Sequence, residues 1–120
     1  MKKNIKATSM KLTEAIQDYL EKKFVHIEKF LNKDDDSTMC YIELGKTSNK
    51  HKAGDDIFRA ETNIDIGGKV LRAVSEKEDL YSAIDDMESE LNRLVTDFKK
   101  KKESLNKKGG AEVKRMIKGI

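Results

Sequence analysis

Residues 57–75 read IFRAETNIDIGGKVLRAVS, and this stretch decides the fold of the chain. Up to residue 66, apolar or small side chains alternate with polar ones, a period of two that is typical of a half-buried strand. Gly67 and Gly68 follow, and a glycine pair between two such runs predicts a hairpin turn, because glycine tolerates positive φ. Residues 69–75 are then the returning strand. One face of the first strand carries the side chains expected to be buried: Phe58, Ala60, Thr62 and Ile64.

Amphipathic helices precede and follow this hairpin. In the first, Thr13 is the predicted N-cap, Leu12 is a staple residue just before it, and the helix runs to about residue 32. Its apolar positions recur at spacings of three and four, as one buried face requires: Ile16, Tyr19, Leu20, Phe24, Ile27, Phe30 and Leu31. The second helix begins near Leu80 and fades beyond Leu105, with acidic residues at its start and lysines at its end, as the helix macrodipole favours.

Two further strands complete the predicted sheet. Residues 3–9 alternate polar with small or apolar side chains, and residues 39–44 are rich in β-forming types and end near Gly45. Residues 46–56 are polar and lack a period, so they are predicted as a loop. The element order is therefore β-α-β-β-β-α. This order predicts an α+β fold, a two-layer sandwich in which two helices pack on one face of a four-stranded mixed sheet.

The charges of the chain are unevenly distributed. Its 120 residues include 25 Lys and Arg and 22 Asp and Glu, for a net charge of +3. Residues 1–90 hold 15 basic and 19 acidic residues and sum to −4, whereas residues 91–120 hold 10 basic and 3 acidic residues and sum to +7. A basic block at one end favours phosphate binding, and the alternative is a solvated end that keeps the protein soluble. We expect one domain over residues 1–105 and a flexible basic tail over residues 106–120.

Composition also excludes several classes of protein. No apolar run reaches the ~20 residues of a membrane span, and residues 1–7 lack the apolar stretch of a secretory signal. A single cysteine, Cys40, fits a reducing compartment, so we expect a cytoplasmic protein. The only histidines, His26 and His51, do not stand at metal-ligand spacing, and Cys40 has no predicted partner base. We therefore expect neither an enzyme nor a metal or cofactor site.

Basic side chains cluster on the polar faces of both helices. On the first helix, four residues lie within about 60° of one another, opposite the apolar face: Lys22, His26, Lys29 and Lys33. Lys23 lies near the apolar edge, where its ammonium must snorkel past the sheet margin. On the second helix, Arg93 is on the polar side and residues 99–102 are all lysine. These clusters favour RNA or DNA, and the scarcity of exposed aromatic residues favours backbone and shape recognition over a single-strand stacking platform.

The second helix also carries a motif. Residues 78–85, EDLYSAID, resemble the E-D-M-Y-x-A-I-D/N signature of the bacterial ribosome hibernation factors, a family also described as sigma-54 modulation proteins. Residues 91–94, LNRL, are similar to the L-x-R-Q region of that family, and the first helix is similar to the family's first helix. The resemblance covers residues 3–105, and the predicted element order agrees with the family fold.

The resemblance implies a non-enzymatic protein that binds the small ribosomal subunit and its ribosomal RNA. Family members occupy the channel between the head and body of the subunit, in the places of messenger RNA and the anticodon stems of transfer RNA. They block translation by steric occlusion during stress or stationary phase. The resemblance implies no membrane and no small-molecule substrate, and we expect a monomer off the ribosome. Four basic residues match family positions: Lys22, Lys23, Lys29 and Arg93. Four more RNA contacts are electrostatic extrapolations: Arg72, Lys99, Lys100 and Lys102.

Departures from the family pattern leave an alternative open. Glu90 stands where some relatives carry a lysine, and the acidic residues between Glu76 and Glu90 make that part of the helix unfavourable for phosphate. The chain could instead be a protein-interaction module of the sigma-factor modulator type, which docks a basic partner on this acidic face. The tail is basic where some members carry an acidic one, so three alternatives stay open: a short factor that dimerises ribosomes, a factor that inactivates single ribosomes, and a truncated long form.

Overall fold

A computed structural model of the chain describes residues 1–31, 37–48 and 56–107. Its elements follow the predicted order, and the two-layer α+β fold is confirmed. The elements are β1 (Lys2–Thr8), α1 (Glu14–Phe30), β2 (Met39–Ser48), β3 (Asp56–Ile66), β4 (Lys69–Lys77) and α2 (Leu80–Lys107).

The four strands form one sheet in the order β1-β2-β3-β4. β1 and β2 are parallel, since α1 carries the chain between them, while the β2–β3 and β3–β4 pairs are antiparallel. The predicted hairpin is confirmed, with φ of +58° at Gly67 and +93° at Gly68. Only glycine adopts such angles without a steric penalty. The Asp65 carboxylate accepts a hydrogen bond from the Gly68 N–H and so closes the turn.

The predicted cap of α1 is also confirmed. The hydroxyl of Thr13 accepts a hydrogen bond from the Ile16 N–H over 3.2 Å, which satisfies one of the donors that the first turn leaves free. Leu12 is partly buried against the core, as a staple residue should be. The helix ends at Phe30 and Leu31 is its C-cap, so α1 is slightly shorter than the sequence predicts.

The predicted loop over residues 46–56 is wrong at both ends. Lys46, Thr47 and Ser48 extend β2, and they pair in register with the start of β3. Polar contacts of Lys46 and Thr47, rather than an apolar pattern, stabilise this end of the ladder. The ammonium of Lys46 lies 3.1 Å from the Asp56 carboxylate, and the Thr47 hydroxyl donates to the Ile57 carbonyl. The remainder of the predicted loop lies outside the described residues.

One hydrophobic core fills the space between the sheet and the helices. The largest side chains that are fully buried belong to both layers: Phe24, Leu20 and Ile27 of α1, Ile84, Met87, Leu91 and Val95 of α2, and Ile42, Leu44 and Ile64 of the sheet. Each such side chain stabilises the fold by ~2 kcal/mol relative to an exposed position. Both helices cover the same face of the sheet, so the other face is open and carries the exposed Tyr41, Val70 and Val74.

The two helices differ in length. α2 continues to Lys107, beyond the core, whereas α1 stops at Phe30. The predicted tail beyond residue 107 lies outside the described residues, so the proposed boundary at residue 105 stays a prediction. In the described part of the chain, no helix combines the length and apolarity of a membrane span.

Candidate nucleic-acid interface

The outward face of α1 presents two free ammonium groups. Lys22 and Lys29 are exposed, and neither has an ion-pair partner among the described residues. They are seven residues apart, which places them two turns and about 10 Å from each other along one side of the helix. His26 lies between them, also exposed, with its ring stacked on Phe30 at a centroid distance of 6.3 Å. The predicted fourth member of this stripe, Lys33, lies outside the described residues.

Lys23, the third predicted residue of α1, has an internal partner. Its ammonium lies 3.0 Å from the Asp85 carboxylate of α2 and 5.6 Å from the ring centroid of Tyr19. The hydrogen bond to Asp85 raises the pKa of Lys23. The side chain reaches past the apolar edge as the sequence predicts, but it ends on α2. A contact of Lys23 with an anionic ligand would therefore compete with this ion pair.

Lys99 of α2 caps the C-terminal end of α1. Its ammonium donates a 2.8 Å hydrogen bond to the Phe30 carbonyl and lies 4.4 Å from the centroid of the Phe30 ring. The last carbonyls of a helix lack intrahelical donors and carry a partial negative charge, so a cation at this position is favourable. Lys99 is half-buried there. We infer that its first role is to join the helix ends.

Lys100 and Lys102, by contrast, are exposed and have no ion-pair partner among the side chains that the structure describes. Lys101 between them is equally exposed, and its position on the helix end makes it a further candidate that the predicted set omitted. These three lysines lie five to seven residues before Lys107, where α2 ends, so they precede its last turn. They form the second free basic cluster of the helix layer.

The two predicted arginines already have acidic partners. Arg93 lies 2.6 Å from Glu90 and 3.3 Å from Asp97, and the hydrogen bond with Arg93 lowers the pKa of Glu90. Arg72 lies 2.6 Å from Glu61 on β3. Both side chains stay more than half exposed, so each keeps donors for another ligand.

Arg72 is also on a different surface from the lysines. It projects from β4 on the open face of the sheet, because its neighbours Leu71 and Ala73 are buried under the helices. The structure therefore divides the eight predicted residues. Lys22 and Lys29 share a face of α1, and Lys100 and Lys102 share the end of α2, whereas Arg72 is apart from both groups.

Sequence reasoning missed the residues that join the two helices. Tyr19 and Tyr81 pack edge to face with ring centroids 4.8 Å apart, and the Tyr19 hydroxyl donates to Asp85. The helices run parallel, because contacts further along α1 are made with residues further along α2. The pairs are Tyr19 with Tyr81, Lys23 with Asp85, and Phe30 with Lys99. Two pairs spaced i, i+4 therefore face each other, and that spacing was the available signal.

The described part of the chain has few side-chain groups suited to nucleophilic catalysis or metal binding. Cys40 is buried in β2, and desolvation raises the pKa of its thiol to about 12, so the reactive thiolate does not form near neutral pH. Over residues 1–31, 37–48 and 56–107, no group of three or more His, Cys, Asp and Glu side chains could hold a metal ion. The free lysines are therefore the notable polar groups of the helix layer, and they suit an anionic ligand.

Comparison with known proteins gives a consistent family. The family model described as sigma 54 modulation protein / S30EA ribosomal protein matches residues 4–103. The ribosome hibernation promotion factor of Lactococcus lactis subsp. cremoris is 30% identical over 101 residues, which cover 82% of this chain and 50% of that protein. The ribosome hibernation promoting factor of Klebsiella oxytoca is 30% identical over 101 residues, which cover 84% of this chain and 96% of that protein.

A solved structure supports the same grouping. The N-terminal domain of Thermus thermophilus Protein Y is 28% identical, with a TM-score of 0.65, and the match covers 82% of this chain and 99% of that domain. The chain spans about half the length of its Lactococcus lactis and Staphylococcus aureus relatives, with 50% and 46% of their residues covered.

Proposed function

The chain belongs to the sigma 54 modulation protein / S30EA ribosomal protein family, and on this premise we propose that it is a ribosome hibernation factor. It acts in the cytoplasm, binds the small ribosomal subunit through ribosomal RNA, and occupies the decoding channel where messenger RNA and transfer RNA otherwise lie. Translation then stops by steric occlusion, without any catalytic step.

The observation that carries this proposal is the free basic face of α1. Lys22 and Lys29 are exposed and have no acidic partner among the described residues, whereas Lys23, Arg93 and Arg72 do. An unpaired ammonium gains the full counterion-release free energy when it meets a phosphate, because no internal ion pair must first be broken. Lys100 and Lys102 extend the same kind of surface at the end of α2.

Occlusion requires a rigid body rather than a reactive group. The two helices are joined near their starts by Tyr19 and Asp85, and again where Lys99 of α2 meets Phe30 at the end of α1. Lysines that are fixed relative to one another bind a folded RNA surface with a smaller loss of conformational entropy than lysines on a flexible segment. The helix pair thus supports recognition of RNA shape and backbone.

The proposal is tested by sedimentation of purified small subunits with the protein through sucrose gradients at two salt concentrations. We expect the protein to travel with the subunits at low salt and to leave them at high salt. The double variant Lys22→Glu with Lys29→Glu should lose this association while its stability changes by less than ~0.5 kcal/mol, since both positions are exposed.

A matched control separates the α1 face from net charge. Lys69→Glu with Lys77→Glu makes the same change in charge at two exposed lysines of β4, at the far edge of the sheet, and should bind nearly as the parent protein does. Equal loss in both double variants would contradict the assignment of α1. If the parent protein fails to sediment with subunits even at low salt, the protein-interaction alternative through the acidic face of α2 takes the place of this proposal.

A further inference from the structure

The open face of the sheet carries a row of side chains that suits a nucleobase. Asn4 of β1, Tyr41 of β2, Asn63 of β3 and Arg72 of β4 are consecutive partners in the strand register, so they lie side by side across the sheet. Neighbouring strands are about 4.8 Å apart, which places a side-chain amide on each side of the tyrosine ring. We propose that this row binds one unpaired base of single-stranded RNA.

The tyrosine is available for stacking. Tyr41 is 47% exposed although it belongs to a central strand, and no aromatic ring among the described residues packs against it. It forms one wall of a shallow depression, together with the two asparagines, Lys6 and Glu43. An exposed tyrosine on a four-stranded sheet gives a base an apolar surface of matching shape, and stacking tolerates any base. A single ring accommodates one base rather than a run of them.

The neighbouring polar groups can read the edge of a stacked base. The amides of Asn4 and Asn63 have no hydrogen-bond partner in the part of the chain that the structure describes, and each offers both a donor and an acceptor. The Glu43 carboxylate, two residues along the same face from Tyr41, can only accept. One of its oxygens accepts a 3.5 Å hydrogen bond from the Thr8 hydroxyl, and its other acceptor sites are available to a base. The carboxylate therefore favours a base with an amino group, such as cytosine or adenine, over uracil.

The charges around the row place the phosphate on one side. Glu61 is already paired with Arg72 at 2.6 Å and with Arg59 at 3.2 Å, so its charge is largely compensated. Along β1, Lys2 and Lys6 project to the open face, are exposed and have no ion-pair partner within the described ranges. The sugar-phosphate backbone is therefore expected to follow β1 while the base lies over β2 and β3.

This inference is independent of the helix lysines, and its test uses RNA without ribosomes. Labelled octamers of cytidine, adenosine or uridine are titrated with the full chain, and binding is followed by fluorescence anisotropy at low salt. The cytidine and adenosine octamers should bind more tightly than the uridine octamer. Tyr41→Thr, which places a β-branched residue of high strand propensity at this position, should weaken binding about tenfold, because stacking on one ring contributes that order of affinity. Tyr41→Phe should bind nearly as well as the parent protein.

Val70→Thr is the matched control, since Val70 is exposed on the same face but lies at the β4 edge. It should leave binding unchanged, and circular dichroism should show that all three variants are folded. Shifts of the Asn4 and Asn63 side-chain amide signals on addition of the cytidine octamer would support the assignment of the edge contacts. Unchanged binding by Tyr41→Thr, or no octamer binding by the parent protein, would overturn the inference. Neither result affects the sedimentation test, so the two proposals fail separately.

Discussion

The hydroxyl of Tyr19 on α1 donates a hydrogen bond to the carboxylate of Asp85 on α2, and the ammonium of Lys23 lies 3.0 Å from the same carboxylate. One acidic group thus joins two donors of the first helix to the second. The Tyr19 ring also packs edge to face on Tyr81, so polar and aromatic contacts coincide at this point. The arrangement sets the spacing of the two parallel helices near their starts.

Removal of the Asp85 charge should weaken this connection. We expect Asp85→Asn to lower the free energy of unfolding by ~1 kcal/mol, because the variant loses a charged acceptor that serves two donors at a partly exposed site. Urea denaturation measures the loss, and the slope of the free energy of unfolding against urea concentration should be unchanged. Asp97→Asn is the control, since Asp97 pairs only with Arg93 on its own helix and should cost less.

A double-mutant cycle tests whether Tyr19 and Asp85 act together. Tyr19→Phe should cost ~1 kcal/mol alone and much less in the Asp85→Asn background, because contacting residues are not additive. Independent losses would mean that each side chain stabilises its own helix, and they would contradict a link between the helices.

The same cluster predicts how stability depends on pH. Hydrogen bonds from Tyr19 and Lys23 hold the pKa of Asp85 below its usual 3.8, so its contribution is present above that pH and is lost as the pH falls through the folded-state value. The bond to Asp85 raises the pKa of Tyr19 above its usual 10.0, so that contribution is lost only in alkaline solution. The difference in free energy of unfolding between the parent protein and Asp85→Asn should be constant from about pH 5 to about pH 9. It should become smaller below and above this range. A difference that changes steadily across neutral pH would contradict this account.

The periodic elements of the fold could be predicted because their patterns are local. The alternation before Gly67 and the spacing of apolar residues in both helices each need only one strand or one turn to be recognised. The polar residues Lys46–Ser48 could not be assigned to a strand in this way, because their pairing depends on the register with β3.

The candidate site shows a similar division. The helical pattern of the sequence predicts which lysines are exposed. It does not show which of them have an internal ion-pair or hydrogen-bond partner. Asp85 meets Lys23 and the Phe30 carbonyl meets Lys99 only after folding, across separations of 62 and 69 residues. The i, i+4 spacing within each helix is a local signal for the first contact, but it does not identify the partner on the other helix. The partners of Arg93 are different, since Glu90 and Asp97 stand at helical spacing and could have been recognised.

Neighbouring lysines at the end of α2 should respond differently to substitution. Lys99→Met removes the donor that caps Phe30 and should lower the free energy of unfolding by ~1 kcal/mol, whereas Lys100→Met at an exposed position should change it by less than ~0.5 kcal/mol. Thermal or urea denaturation measures both. Equal stability of the two variants would show that the contact between Lys99 and α1 contributes nothing to the fold.

Binding to small subunits should rank the lysines by whether they are free. Each ammonium that neutralises a phosphate adds about 0.7 to 0.9 to the slope of log affinity against log salt. Lys22→Gln and Lys29→Gln should therefore each reduce that slope by roughly one contact. Lys23→Gln should reduce it less, because Lys23 is already paired with Asp85 and releases fewer counterions on binding. The slope is obtained from sedimentation across a salt series, with Lys69→Gln as the control. If Lys23→Gln had the largest effect, the ion pair with Asp85 would have to open on the ribosome, and the free face of α1 would not be the principal contact.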